Sequence, residues 1–300
     1  MTPPAHALYI GRFQPPHRAH VVSALAALEA ASSLTLALGS SNLARSAKNP
    51  WTPQERSELW RLALTEAGAD LGRVRFAPLA DRFDADAWAA DVRRLFAPGE
   101  AVLLVGCEKD DSSAYLRWFP GWERLVLPEL AGGLNATALR RAYFLEGPQA
   151  SVLTEQLPTA TLPWLRAWAA TPDYARLRAE WQALERGEGQ AGSGCEQRWL
   201  WADPDSGRIA LHRRAGPIGA GLLELPGAAL PAGAEGQGTL YSGGGRSSGQ
   251  PLVWTVTAEP PAELQTAVEW WLPAAALENP RQFYADHAVM LARLLPQLQG

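Results

Sequence analysis

Five short apolar runs alternate with three amphipathic stretches over the first 145 residues, and this rhythm most constrains the fold. The runs are "ALYI", "LTLALGS", "RVRFAPL", "AVLLVG" and "RLVLPEL". Their apolar residues follow one another without polar alternation, as in strands buried on both faces. Between them, "HRAHVVSALAALEAA", "TPQERSELWRLALTEAG" and "DADAWAADVRRLF" carry helical spacing, with Thr52 and either Asp84 or Asp86 placed to cap. Strand alternating with helix predicts an α/β domain with a doubly wound, Rossmann-like parallel sheet. Ligands on such sheets bind beyond the carboxyl ends of the strands.

A helical stretch is expected from about Pro163 to Glu185, followed by the Gly-rich "GEGQAGSG" at 187–194. Beyond it "QRWLWAD", "GRIALHRR", "GLLELPG" and "PLVWTVTA" read as strands, and "RQFYADHAVMLARLL" as a closing helix. The expected division is a first domain over 1–186, a linker over 187–195 and a smaller α+β domain over 196–300.

A net charge of −4 gives no basic surface for nucleic acid or an anionic membrane. No apolar stretch reaches the roughly 18 to 20 residues that span a bilayer. The N-terminal "MTPPAHALYI" has no basic segment leading into an apolar one, and the two cysteines, Cys107 and Cys195, build no disulfide framework. A cytoplasmic protein is expected, and a homo-oligomer is left open.

The chemistry concentrates in "YIGRFQPPHRAH", residues 9–20. His17 and His20 are three apart at the start of the first helix, so both rings can share a face. A helix N-terminus offers N–H groups and partial positive charge, and Arg12 just before it adds a guanidinium. That combination suits a phosphate. No cysteine or carboxylate cluster with ligand spacing supports a metal site, and neither a Walker loop nor G-x-G-x-x-G follows the strand.

"GRFQPPHRAH" is similar to the G-R-F-Q-P-F-H-x-G-H stretch of nicotinamide mononucleotide adenylyltransferases, within the H-x-G-H nucleotidyltransferase superfamily. "GSSNLARSAKNPWTPQER" (39–56) resembles the family segment ending K-N-P-F-T-x-x-E-R. "VGCEKDDSSAYLRWFPGW" (105–122) resembles the G-H-E-K-D-x-S-S-x-Y-L-x-x-F-P-x-W run of its bifunctional bacterial subgroup, and "NATALRRAYFLEG" (135–147) stands where the superfamily carries I-S-S-T-x-I-R. Four segments in order over about 140 residues carry the resemblance.

The resemblance implies adenylyl transfer from ATP to nicotinamide mononucleotide, giving NAD and pyrophosphate. It assigns Gly11, Arg12, Phe13, His17, His20, Lys48, Asn135, Thr137 and Arg140 to ATP, with Mg²⁺ accompanying the triphosphate and no direct protein ligand to the metal. His17, His20 and Arg140 take the catalytic roles, His20 foremost. Trp88, Asp81 and Gly106 are assigned to nicotinamide mononucleotide. Trp88 would stack on the ring, although an aromatic at that helical position equally serves a core. Asn135 and Thr137 equally serve as helix caps. Ala19, Pro16, Asn135-Ala136 and Cys107 depart from the family pattern. A silent nucleotide sensor, or another H-x-G-H transferase of phosphopantetheine or CDP-alcohol type, remains the alternative.

"GRIALHRRAGPIGAGLLELPG" (207–227) resembles the opening of a Nudix domain, the usual companion in the bifunctional subgroup. Nudix hydrolysis needs a helix whose R-E-x-x-E-E carboxylates hold Mg²⁺. Only "AALPAGAEGQG" (228–238), with the single carboxylate Glu235, precedes the next strand. The catalytic helix is therefore expected to be missing and the domain hydrolytically inactive.

Overall fold

The computed structural model describes residues 5–106, 115–128, 135–188, 196–230, 238–241, 252–257 and 261–298. The first elements are β1 (His6–Gly11), α1 (Arg18–Ala30), β2 (Ser33–Leu38), α2 (Pro53–Glu66), β3 (Val74–Pro78), α3 (Ala85–Arg93), β4 (Val102–Gly106) and β5 (Glu123–Val126). All pairings are parallel, in the order β3-β2-β1-β4-β5. This is the expected doubly wound sheet. The direction of winding reverses between β1 and β4, so the ligand crevice is expected beyond Gly11 and Gly106.

Successive side chains leave opposite faces of a strand, and both faces here meet helices. Ala7, Leu34, Leu36, Leu103 and Val105 pack with Ala24, Leu28, Trp60 and Leu64 from α1 and α2. Leu8, Ile10, Ala37 and Leu104 pack with Ala89 and Val92 from α3. Burial on both faces fails at β5, where Glu123, Arg124 and Val126 are exposed. β5 is an edge strand, and its charged residues discourage further strand pairing.

Helices α4 (Ala136–Leu145), α5 (Ser151–Gln156), α6 (Leu162–Trp168) and α7 (Pro172–Glu185) follow. The helix expected from 163 to 185 is two helices, because Pro172 lacks the N–H a continuous helix requires and is suited to start one. Trp51, Tyr143, Phe144, Trp168 and Tyr174 form an aromatic core beside them. Burial pushes the Tyr143 and Tyr174 phenols up.

The chain separates into two compact units. One comprises Met1–Ser41, Ala47–Ala80 and Asp86–Trp181, the other Asn42–Ser46, Asp81–Ala85 and Gln182–Gly300. Residues 189–195, most of the expected linker, lie outside the described residues.

The second unit contains β6 (Glu196–Trp201), β7 (Ile209–Arg213), β8 (Leu223–Glu224), β9 (Gly227–Ala229), β10 (Thr239–Tyr241), β11 (Leu252–Thr257), β12 (Val268–Trp271), α8 (Pro273–Glu278) and α9 (His287–Leu294). One sheet runs β10-β11-β6-β9 with β6 and β11 parallel, and an antiparallel sheet runs β12-β7-β8. Leu200, Ile209, Leu211, Leu223, Phe283, Met290 and Leu291 form its core, with Phe83 packed against it. The closing helix is shorter than expected. Ala285 holds a left-handed φ of 47°, which a right-handed helix cannot include, and Tyr284 N–H donates to Leu223 O at 2.8 Å instead.

Candidate nucleotide site

β1 ends in a tight reversal. Phe13 takes a left-handed φ of 49°, folding its ring back so that a Cβ on Gly11 would lie 2.6 Å from it. Only glycine fits there. The Phe13 ring makes edge contacts with Tyr9, His20 and Trp60 at 5.1, 5.0 and 5.1 Å. The residue expected to touch ATP thus has its side chain in the core, where it buttresses His20.

His17 is the N-cap of α1 and His20 lies in its first turn. Their rings stack with centroids 3.6 Å apart and 20° between planes. The His17 backbone N–H donates to His20 Nδ1 at 3.2 Å. Since Nδ1 accepts, the neutral ring carries its proton on Nε2, and His20 presents a donor there. No acidic residue occupies the first turn of α1, while Arg12 and Arg18 are exposed beside it. The helix end and both cations favour an anion.

The turns beyond β1 and β2 are held from beneath. Arg56 of α2 is fully buried and donates from Nη1 to Arg12 O at 2.5 Å and Gly39 O at 2.8 Å. Thr52 and Glu55 form a capping box at the start of α2, with Thr52 N–H donating to Glu55 Oε2 at 2.7 Å. Trp168 Nε1 donates to the other carboxylate oxygen at 2.9 Å. The Gln14 amide accepts from Trp51 N–H at 3.0 Å and donates to Trp51 O at 2.9 Å.

Arg140 was expected on the ATP phosphates. Here it is 4% exposed, and Nε, Nη1 and Nη2 donate to Ala47 O, Gln14 O and Thr137 Oγ1 at 3.0, 2.9 and 2.9 Å. Burial, reinforced by the Arg12 charge, lowers its pKa to about 10, so it stays protonated at neutral pH. Asn135 caps α4, its Oδ1 accepting from Thr137 N–H at 2.8 Å. Lys48 is exposed, between the buried Ala47 and Asn49.

At the end of β4, a Cβ on Gly106 would come within 2.7 Å of Leu116 Cδ2, so close packing explains that glycine. Trp88 on α3 is half-buried, with edge contacts to Tyr115 and Trp118 at 5.8 Å each. Asp81 belongs to the second unit, where its N–H donates to Asn42 Oδ1 at 2.8 Å and its C=O accepts from Asn42 Nδ2 at 3.1 Å. Cys107 and the "EKDDSS" run lie outside the described residues. Among the described residues, no group of three or more His, Cys, Asp or Glu side chains is placed to hold a metal.

A nicotinamide-nucleotide adenylyltransferase of Thermococcus sibiricus is 30% identical over 135 residues, 45% of this chain and 70% of that protein. The chain belongs to the nicotinamide-nucleotide adenylyltransferase family. A nicotinamide/nicotinic acid mononucleotide adenylyltransferase of Acinetobacter baylyi is 29% identical over 182 residues, covering 59% of this chain and 94% of that one. An Ignicoccus hospitalis nicotinamide-nucleotide adenylyltransferase is 38% identical over 97 residues, and the chain spans only 57% of its length. The cytidylyltransferase-like family matches residues 8–113. A bifunctional NMN adenylyltransferase/ADP ribose pyrophosphatase from Francisella tularensis shares the fold with a TM-score of 0.80 at 21% identity, covering 98% of this chain and 99% of that chain.

For this adenylyltransferase family member, sequence reasoning missed Gln14, Glu55 and Arg56. All three stand inside the stretches that carried the resemblance. Their signal was a polar residue in an otherwise apolar or capping context, and only the fold shows which backbone groups they reach.

Proposed function

We propose that the chain transfers the adenylyl group of ATP to nicotinamide mononucleotide, forming NAD and releasing pyrophosphate in the cytoplasm. The observation that carries this reading is the stacked His17–His20 pair at the α1 N-terminus, just past the switch point between β1 and β4. A phosphate oxygen of the mononucleotide attacks the α-phosphorus, a new P–O bond forms, and the bond to the β-phosphate oxygen breaks. The attacking phosphate is already largely dianionic near neutral pH, so no strong base is needed. The site instead supplies alignment and charge stabilisation.

His20 Nε2–H and His17 donate to the phosphoryl oxygens, while Arg12, Lys48 and the α1 N-terminus offset the triphosphate charge. Thr137 Oγ1 and the start of α4 border the same anion. Arg140 acts behind the phosphates, through the loops it holds. Asp81, Trp88 and Gly106 are assigned to the mononucleotide. The side chains gathered here are donors and cations, which suits phosphate oxygens and leaves a divalent cation to be held by ATP itself. When bound, Mg²⁺ would supply further charge neutralisation across the triphosphate. The Francisella protein has been crystallised with AMP and a manganese ion.

Residues 230–238 alone separate β9 from β10, too short a span for a strand-flanked catalytic helix bearing several carboxylates. Glu235 and its neighbours at 231–237 lie outside the described residues. This short span supports a second unit that does not hydrolyse ADP-ribose. Incubation with ATP, nicotinamide mononucleotide and Mg²⁺ is expected to yield NAD, and with ADP-ribose to yield no AMP. A folded sample that makes no NAD overturns the transfer reading, and AMP release overturns the hydrolytic one.

A further inference from the structure

The chain from Ala47 to Trp51 is gripped at both ends by buried polar side chains, and the exposed Lys48 lies between the grips. Glu180 of α7 is 2% exposed, and its Oε1 accepts the Ala47 N–H at 2.8 Å. Arg140 Nε donates to the Ala47 C=O at 3.0 Å. One residue is therefore fixed on its N–H side by an anion and on its C=O side by a cation. Four residues on, the Gln14 amide, also 2% exposed, holds both the N–H and the C=O of Trp51. Arg140 Nη1 closes the circuit by donating to Gln14 O at 2.9 Å.

Buried turns leave backbone groups without ladder partners, and these side chains provide them. Hydrogen bonds to charged groups are about twice as strong as neutral ones, and in a dry setting they leave little freedom. The same frame also fixes the backbone on either side of the exposed Lys48. A flexible four-carbon side chain is most useful to an anion when its backbone cannot move.

We infer that Glu180 is a positioning residue for Lys48: by fixing Ala47 it sets the backbone from which Lys48 meets the ATP phosphates. This rests on the assignment of Lys48 to ATP. Glu180 touches no substrate itself, and its effect runs through the 47–51 turn.

The test is the equilibrium affinity for ATP, in a double-mutant cycle with Lys48→Ala on the full chain. Glu180→Ala is expected to weaken ATP binding about tenfold, the equivalent of one charge-assisted hydrogen bond. Glu180→Gln keeps an acceptor for Ala47 N–H, removing only the charge that also faces Arg176 at 3.8 Å, and it is expected to weaken binding about threefold. In the Lys48→Ala background both substitutions are expected to leave ATP affinity unchanged. Unchanged affinity for Glu180→Gln, or equal losses in both backgrounds, overturns the proposal, even should Glu180→Ala not fold. NAD formation is followed separately. A wild type that binds ATP but makes no NAD overturns the catalytic reading alone, and one that binds no ATP overturns both.

Discussion

The two units bury polar side chains to different ends. In the first, Gln14, Arg56, Arg140 and Glu180 are buried, and their bonds run to turn backbone at Arg12, Gly39, Ala47 and Trp51. In the second, Gln197, Arg198 and His287 are also buried, and their bonds divide between neighbouring strands and the short β8–β9 connection at Leu225. Gln197 Nε2 donates to Thr255 Oγ1 of β11, Arg198 Nη1 to Leu225 O and Gly227 O, and His287 Nδ1 accepts from Leu225 N–H. Where such a bond joins strands that already have a ladder, as Gln197 does to Thr255, it only staples a core. Turns have none, so the side chains decide where the turn stands. Arg12 and Lys48 are exposed on turns held this way, so the first unit presents two cations from fixed backbone.

The largest effect is expected in the second unit's core. Phe283 is fully buried there, so Phe283→Ala is expected to cost about 3–5 kcal/mol in urea unfolding of that unit, with NAD formation retained. Loss of NAD formation in protein whose first unit is still folded would contradict the separation of roles. Next in size, His20→Ala is expected to lower the turnover rate about 100-fold without a matching loss of stability. Full turnover would remove His20 from the chemistry.

Arg56→Met tests whether turn-holding groups serve function. Three carbonyl contacts are lost, an expected cost of about 2 kcal/mol, together with a raised KM for ATP. A stability loss with KM unchanged would make Arg56 merely structural. The smallest effect is expected at the exposed Arg213–Glu269 pair of the second unit. Hydrogen bonding from Arg213 holds the Glu269 carboxyl below its usual range. Its contribution is present above the unfolded carboxylate's pKa and is lost as pH falls through the folded value. Solvent screening keeps it under about 0.5 kcal/mol. Acid-side unfolding of wild type and Glu269→Gln should therefore nearly coincide, and a large gap would mean the pair is more than a surface contact.

The five strands of the sheet were legible because continuous apolar runs leave few other options, and Thr52 as a cap was legible because a capping residue type stands just before a stretch with helical spacing. The burial of β5 was misread because composition alone does not reveal which strand lies at an edge. The closing helix was overextended because a left-handed φ at Ala285 has no sequence signature in an alanine. At the site, His17 and His20 were legible as a pair. That the Phe13 ring supports His20 from the core is not legible in its place between Arg12 and Gln14. Nor does the sequence show that Arg140 bonds to Ala47, Gln14 and Thr137, partners up to 126 positions away.

By itself the sequence determined the alternation of strand and helix, and the order of four segments that identifies the family. These properties are local, set by side-chain period and by residues close in the chain. Tertiary structure alone decided that β1 and β4 become neighbours, that Arg140 meets Gln14 across 126 positions, and that Glu180 meets Ala47 across 133 positions. A buried hydrogen-bonding group must find a partner wherever the fold brings one, and no local pattern records that distance.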